Sequence, residues 1–193
     1  MIVGVSGRYC AGKSEVTRIL TEHNYSEIDV DELGHAAREA RKDAVLREFG
    51  DRITGGGEID RRRLGEIVFA DEYARRRLEA IVHPVMRDKV AEEVSSLRRL
   101  GRNGVIDAAL LFYMELHVLC DLVLWVDAPV LLRLVRALRR DRLSIRELLS
   151  RFRAQRKISP QPYSQNVDIR RVNNWGRRSR LYRQVAELPG VLT

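Results

Sequence analysis

The residues with the clearest chemical pattern lie near the amino terminus, in the segment Gly7-Arg8-Tyr9-Cys10-Ala11-Gly12-Lys13-Ser14. The segment satisfies the pattern G-x-x-x-x-G-K-[ST], whose glycines let backbone amides curl around phosphate groups. In such a loop the lysine, Lys13, reaches the β- and γ-phosphates, and the hydroxyl of Ser14 binds magnesium. The sequence therefore predicts a site for the magnesium complex of ATP or GTP.

Two aspartates, Asp29 and Asp31, form the second candidate group. If they lie at the extended end of a strand, their side chains point to the same face of the sheet. Phosphoryl transfer requires a carboxylate that orients the attacking hydroxyl and accepts its proton, and Asp31 is the candidate for that base. The alternative is that one of the two aspartates only caps the helix that follows.

The elements that must position these groups are short strands alternating with helices. Continuous apolar runs are typical of strands that are covered by helices on both faces. The predicted strands cover residues 2 to 5, 25 to 30, 104 to 111, 122 to 126 and 167 to 172. Helical spacing predicts helices between them, including a densely charged helical stretch from 41 to 100, a helix from 130 to 155 and one that begins near 177. This alternation predicts an α/β fold, a doubly wound parallel sheet that binds ligands beyond the carboxyl ends of its strands.

Composition limits the class of protein. The chain has 193 residues, a formal net charge of +8 and only two cysteines, Cys10 and Cys120. The charge favours polyanionic partners, which include both nucleic acid and phosphorylated small molecules. No apolar stretch approaches the ~20 residues of a membrane span, and the amino terminus lacks the features of a secretory signal. We expect a cytoplasmic protein with reduced cysteines and no membrane partner.

Several further motifs occur in an order that resembles the dephospho-coenzyme A (dephospho-CoA) kinase family along nearly the whole chain. The family's Asp-x-Asp step is similar to Asp29-Val30-Asp31, and its Leu-Glu-x-Ile-x-His-Pro motif resembles residues 78 to 84. The other matching positions are Gly57 to Arg61 with Leu64, Val68-Phe69, Leu110-Leu111-Phe112, Val126 to Pro129, the lid residues Arg136, Arg140 and Gln155, and the closing Asp168 and Asn174.

The resemblance implies an ATP-dependent kinase that uses Mg²⁺ and phosphorylates the ribose 3′-hydroxyl of dephospho-CoA, with no nucleic-acid partner. It implies that Asp31, Lys13 and Arg140 are catalytic and that Ser14 binds the metal. The implied nucleotide-binding residues are Cys10, Ala11, Gly12, Lys13, Ser14, Glu15, Arg136 and Asn174. The implied residues for the acceptor are Asp31, His35, His83, Arg87, Leu111 and Phe112.

The resemblance also divides the chain into functional parts. A five-stranded P-loop kinase core is expected at about 1–35, 101–132 and 165–193. A helical acceptor-binding insertion is expected at about 36–100, and a helical lid at about 133–164. The chain departs from the family where Cys10 replaces a customary glycine, and where Ala109 and Tyr113 replace a proline and a glutamate.

Simpler interpretations of the same residues remain open at this point. The arginines of residues 133 to 140 could form a solvated basic face rather than a lid, and Arg133 and Arg139 are assigned to the surface. His83, which precedes a proline, could end a helix rather than contact substrate. Three rival functions also remain: a kinase of another small acceptor, a P-loop switch or nucleic-acid-binding ATPase, and a family member that has lost activity.

Overall fold

A computed structural model describes residues 1–55, 58–140, 148, 152, 163 and 166–192. It divides into two compact units, the first formed by Met1–Asp29 with Glu93–Thr193 and the second by Val30–Glu92. In chain order the strands are β1 Ile2–Gly7, β2 Tyr25–Asp29, β3 Thr54–Gly55, β4 Glu58–Ile59, β5 Asn103–Asp107, β6 Leu122–Asp127 and β7 Asp168–Asn173. The helices are α1 Lys13–Thr21, α2 Val30–Ala40, α3 Lys42–Phe49, α4 Arg61–Ala70, α5 Glu72–Arg99, α6 Val130–Arg140 and α7 Arg178–Ala186.

The first unit contains a five-stranded parallel sheet with the strand order β2-β5-β1-β6-β7. The first strand, β1, therefore lies at the centre, with β5 and β2 on one side and β6 and β7 on the other, which confirms the predicted doubly wound arrangement. All six residues of β1 are buried, and so are the first five of β6. This burial on both faces explains why both strands are continuous apolar runs in the sequence.

Helices α1 and α7 pack against this sheet. Val16, Ile19 and Leu20 of α1 and Leu181 and Val185 of α7 join the buried strand residues in one apolar cluster. Full burial of one such aliphatic side chain contributes about 1.5–3 kcal/mol to stability. This packing fixes the start of α1 next to the carboxyl end of β1.

Two predicted strands extend too far. The predicted strand at 104–111 ends at Asp107, because the amide of Ala108 bonds to the carbonyl of Val5 at 3.1 Å and the chain then turns. Of the apolar residues that follow, Ala108 and Leu111 are buried in the turn, whereas Leu110 is exposed. The predicted strand at 25–30 ends at Asp29, and Val30 is already the first residue of α2.

The second unit has its own apolar cluster, formed by Val45, Phe49, Ile53, Leu64 and Ala74. Asp60 begins α4 as a helix cap, because its Oδ1 accepts hydrogen bonds from the amides of Arg62 and Arg63 at 2.9 and 3.1 Å. Strands β3 and β4 pair antiparallel, with Thr54 opposite Ile59 and Gly55 opposite Glu58. Helix α5 continues through Pro84, so the interpretation of His83 as a residue that ends a helix is wrong.

Candidate active site

The phosphate-binding loop joins β1 to α1, as predicted. Glycine is required at position 7 and at position 12 for two different structural reasons. A Cβ on Gly7 would lie 2.2 Å from the carbonyl oxygen of Val126 in β6, so only glycine allows this close approach. Gly12 has a φ of +90°, in the left-handed region, where side chains are strained. Cys10, at a customary glycine position, also has a positive φ of +56°. The loop therefore keeps a glycine-like backbone at residue 10 in spite of the substitution.

The side chains of Arg136 and Asn174 hold the loop by hydrogen bonds to its backbone carbonyl groups. The carbonyl oxygen of Ala11 accepts hydrogen bonds from Nη1 of Arg136 at 3.0 Å and from Nδ2 of Asn174 at 2.9 Å. Nδ2 of Asn174 also donates to the carbonyl of Gly12 at 3.3 Å, and Nη2 of Arg136 donates to the carbonyl of Asn174 at 3.1 Å. The structure thus brings both predicted nucleotide-binding residues to the loop, where they contact its backbone.

Arg133 is buried rather than on the surface, which corrects the prediction. It is 3% exposed, its Nε donates to the carbonyl of Tyr9 at 2.8 Å, and its guanidinium lies 4.7 Å from the ring centroid of Phe152. Burial and the nearby charge of Arg8 lower its pKa. The spacing of residues 133, 136 and 140 on one helical face could have indicated this shared role.

Arg140 is exposed and lies beside the same loop. Its guanidinium carbon is 5.4 Å from the ring centroid of Tyr9, within the range of a cation–π contact. The Tyr9 ring also meets Phe152 edge-on at 5.7 Å. Arg140, in the described part of the predicted lid, therefore contacts the phosphate-binding loop through Tyr9. Gln155, the other predicted lid residue, lies outside the described residues.

The groups that are predicted to bind phosphate lie at the start of α1. Lys13 and Ser14 are its first two residues, and their amides have no acceptor within the helix. The hydroxyl of Ser14 is exposed. The side chain of Glu15, the next residue, is paired with Arg18 and with Nε of Arg178 at 2.6 Å. Hydrogen bonds from these two arginines lower its pKa against the effect of burial.

Three strands of the first unit end in aspartate: Asp29 in β2, Asp107 in β5 and Asp127 in β6. In a parallel sheet the carboxyl ends of all strands lie at the same edge, so these three aspartates lie at one edge of the sheet. Ligands bind at this edge in doubly wound folds. Asp107 pairs in register with Val5 of β1 and accepts a hydrogen bond from the hydroxyl of Thr17 at 2.9 Å. Sequence reasoning missed Asp107, although an aspartate at the end of an apolar strand is a recognisable signal.

The geometric basis given for Asp29 and Asp31 is wrong. The two residues do not share an extended strand end, since Asp29 is the last residue of β2 and Asp31 is the second residue of α2. The side chain of Asp31 lies outside what the structure describes. The prediction that it acts as a base therefore rests on its position in α2 and on the motif Asp29-Val30-Asp31.

Three further predicted acceptor residues lie in the second unit. His35 is exposed on α2, and its Nδ1 accepts a hydrogen bond from Arg38 at 2.7 Å. His83 is half-buried in α5, where burial lowers its pKa against the opposing charge of Glu79. Arg87, one turn further along α5, is exposed.

Leu111 and Phe112 differ from the other predicted acceptor residues because both are buried. They are 0% and 4% exposed, and the Phe112 ring stacks on Tyr163 with centroids 4.8 Å apart. In this conformation only their backbone could contact an acceptor. Their side chains support the turn that follows β5.

The chain is similar to several known proteins. A family model described as dephospho-CoA kinase matches residues 1–170. A curated relative, the dephospho-CoA kinase of Bacillus licheniformis, is 36% identical over 163 residues, which cover 82% of this chain and 81% of the relative. A solved structure from Thermus thermophilus is 31% identical with a TM-score of 0.81, over 100% of this chain and 98% of that one. The dephospho-CoA kinase structure of Campylobacter jejuni has a TM-score of 0.69 over 96% of both chains, and at 23% identity it supports the fold alone.

Proposed function

The chain belongs to the dephospho-CoA kinase family, and on that premise we propose that it transfers the γ-phosphoryl group of ATP to the ribose 3′-hydroxyl of dephospho-CoA. This reaction is the last step of coenzyme A biosynthesis. The structural observation that supports it most directly is the phosphate-binding loop, whose Ala11 carbonyl is held by both Arg136 and Asn174. These two hydrogen bonds fix the backbone just before α1, so the free amides at the start of this helix are positioned to bind an anion.

The residues around the loop fit a magnesium ion. Ser14 offers an exposed hydroxyl in the first turn of α1, and Asp107 offers a carboxylate that Thr17, on the same helix, holds by a hydrogen bond. Oxygen ligands of this kind suit Mg²⁺, which usually keeps several waters and the phosphates as its other ligands. Bound there, the ion would neutralise charge on the β- and γ-phosphates. Among the described residues, no cluster of three or more His, Cys, Asp or Glu side chains could hold a metal without such help.

Lys13 and Arg140 would stabilise the charge of the transferring group. The ammonium group of a P-loop lysine reaches the β- and γ-phosphates, so Lys13 binds the nucleotide and acts on the group that moves. Arg140 is already next to the loop through Tyr9. Closure of the lid would bring its guanidinium onto the phosphates and exclude water, which otherwise competes as an acceptor.

Asp31 would orient the 3′-hydroxyl and accept its proton. Carboxylates perform this task in other phosphoryl-transfer enzymes. There, the positioning of the attacking hydroxyl contributes more to the rate than the removal of its proton. His35, His83 and Arg87 share the second unit with Asp31 and would bind other parts of the acceptor. None of the described helices is both long and apolar enough to cross a membrane. A cytoplasmic location, reduced cysteines and the absence of a nucleic-acid partner remain predictions.

An assay of ADP release tests the proposal. Purified protein with Mg-ATP should release ADP when dephospho-CoA is present, and not with adenosine, AMP or shikimate. Asp31→Asn should lose at least about 100-fold in kcat, because general base catalysis contributes roughly 10²–10⁴-fold. Asp43→Asn, an exposed helical aspartate of the same unit, is the matched control and should keep full activity. Release with another acceptor only, or equal activity of both variants, would contradict the proposal.

A further inference from the structure

Tyr9, in the middle of the phosphate-binding loop, is held by contacts to both its backbone and its ring. Its carbonyl oxygen accepts the hydrogen bond of 2.8 Å from Nε of Arg133, and its ring meets that of Phe152 edge-on with centroids 5.7 Å apart. The guanidinium carbon of the buried Arg133 lies over the Phe152 ring, 4.7 Å from its centroid. The two residues that hold Tyr9 therefore also contact each other, and this fixes the direction of the Tyr9 ring.

Helix α6 contacts the loop through three arginines. Arg133, Arg136 and Arg140 have the spacing i, i+3 and i+7, which puts them along one face of the helix. Arg133 donates to the carbonyl of Tyr9, and Arg136 donates to the carbonyl of Ala11. Arg140, the last residue of the helix, contacts the ring of Tyr9 instead, with its guanidinium carbon 5.4 Å from the ring centroid. The first two arginines fix the loop against the helix, and the third lies on a side chain of that fixed loop.

The contact with Tyr9 matters because the side chain of Arg140 is exposed. A long exposed side chain has many rotamers and loses this freedom when it binds a phosphate. A guanidinium stacks with its face, whereas its hydrogen-bond donors lie in its plane. Arg140 can therefore keep its contact with Tyr9 while it donates hydrogen bonds to phosphate oxygens. Since the ring already restricts the rotamers of Arg140, less conformational entropy is lost when Arg140 binds the transferring group.

We propose that Tyr9 is a positioning residue of this kinase, whose ring holds the guanidinium of Arg140 at the phosphate-binding loop for the transfer step. The pattern G-x-x-x-x-G-K-[ST] leaves this position unspecified, so the motif itself gives no role to an aromatic residue there. The inference rests on the proposed function, because it depends on the action of Arg140 on the transferring phosphoryl group.

Steady-state kinetics with Mg-ATP and dephospho-CoA tests this role. Tyr9→Leu keeps the carbonyl that binds Arg133 and an apolar side chain, but removes the ring. It should lower kcat about two- to fivefold, the factor that corresponds to an exposed cation–π contact, and leave both KM values unchanged. Tyr9→Phe keeps the ring and should retain the wild-type kcat. If Tyr9→Leu raises the KM for ATP and leaves kcat unchanged, Tyr9 binds the nucleotide directly and the proposal is overturned.

A double-mutant cycle shows whether Tyr9 acts through Arg140. In an Arg140→Ala background, Tyr9→Leu should cause no further loss of kcat, because the contact is already absent. The matched background is Arg139→Ala, which removes the exposed neighbouring arginine. There, Tyr9→Leu should keep its full two- to fivefold effect. An equal effect in the two backgrounds would mean that Tyr9 acts independently of Arg140, and the proposal would be overturned.

The order of the Arg140 side chain can be measured without the reaction. In the nucleotide-free full-length protein, NMR relaxation of the arginine Nε–H groups reports motion on the picosecond to nanosecond timescale. The Arg140 signal, identified by its loss in Arg140→Ala, should have a higher order parameter than that of Arg139. This difference should disappear in Tyr9→Leu and remain in Tyr9→Phe. An Arg140 side chain that is as mobile in the wild type as in Tyr9→Leu would overturn the proposal.

The outcomes separate this inference from the proposed function. If the wild type phosphorylates dephospho-CoA but Tyr9→Leu has the same kcat as the wild type, the function stands and the positioning role is overturned. If the wild type does not phosphorylate dephospho-CoA, the proposed function fails, and the NMR comparison alone decides whether Tyr9 orders Arg140.

Discussion

The hydroxyl of Thr17 donates a hydrogen bond of 2.9 Å to Oδ2 of Asp107, and this contact ties the first helix to the end of β5. It holds the Asp107 carboxylate near the start of the helix that carries Ser14. Asp107→Asn keeps an oxygen that can accept this bond but removes the negative charge. We expect kcat to fall on the order of 100-fold, with a higher magnesium concentration needed for half-maximal activity. Magnesium titrations of the initial rate measure both effects.

Thr17→Val serves as the control for this prediction. It removes the hydrogen bond without changing any charge, and should lower the free energy of unfolding by about 1 kcal/mol. Its magnesium requirement should change far less than that of Asp107→Asn. If Asp107→Asn needs no more magnesium than the wild type, Asp107 does not contribute to the metal site.

Cys10 has a left-handed backbone at φ +56°, which is unfavourable for a residue with a Cβ. Such a conformation costs roughly 1–2 kcal/mol, whereas glycine adopts it freely but has more conformational entropy to lose on folding. We expect Cys10→Gly to raise the free energy of unfolding by roughly 0.5–1 kcal/mol, and Cys10→Ala to give no such gain. Urea denaturation of the three proteins measures the difference. A Cys10→Gly protein less stable than Cys10→Ala would show that the strain is absent.

The sequence predicted the sheet well where burial is complete. Strands β1 and β6 are buried along nearly their whole length, so an uninterrupted apolar run was enough to find them. The same signal extended β5 too far, because the apolar run continues after Asp107 into a turn, where Ala108 and Leu111 are buried. An apolar run alone does not distinguish a buried turn from a buried strand. The end of β2 was misplaced because α2 starts at the next residue, with no glycine or proline between them.

In the candidate site, residues that are consecutive in the chain were easier to predict than residues that meet only in the folded structure. The phosphate-binding loop was predictable because its residues are consecutive in the chain. The contact of Asn174 with Ala11 joins positions 163 residues apart, and only the family resemblance indicated it. The burial of Arg133 could not be inferred from its charge, since it depends on the carbonyl of Tyr9 and the ring of Phe152.

The pH dependence of stability should reflect His117. This side chain is 3% exposed, lies tilted against the ring of Phe112 and edge-on to Tyr163, and has no hydrogen-bond partner for its Nδ1 in the described structure. Burial lowers its pKa below the ordinary value of 6.5, against the charge of Glu115. The unfolded chain therefore binds more protons than the native protein below pH 6.5, and the free energy of unfolding should fall as the pH decreases from 6.5.

His117→Phe removes this titrating group and keeps an aromatic ring against Phe112 and Tyr163. The free energy of unfolding, measured by urea denaturation between pH 6.5 and about pH 5, should then depend less steeply on pH. His83 adds to the slope in the same direction, because burial also lowers its pKa. The double variant with His83→Gln should therefore be flatter than either single variant. A slope in His117→Phe equal to that of the wild type would contradict the prediction.

Asn174 provides the most specific test of the nucleotide site. Its Nδ2 donates to the carbonyls of Ala11 and Gly12, and it lies only 2.1 Å from the place where a Cβ on Gly12 would be. Asn174→Ala removes both donors and gives the loop room to move. Loss of about 1–1.5 kcal/mol of loop stabilisation should raise the KM for ATP about tenfold, with little change in the KM for dephospho-CoA.

The matched control is Asn173→Ala. The side chain of Gln184 bonds to the backbone of Asn173, so alanine keeps these contacts, and nucleotide binding should be unchanged. Trp175, next to Asn174 and 44% exposed, allows ATP binding to be followed directly by fluorescence, whereas Trp125 is 1% exposed in the core. Asn174→Ala should shift the fluorescence titration with Mg-ATP to about tenfold higher concentration. Equal titrations for the two variants would show that the loop keeps its shape without Asn174.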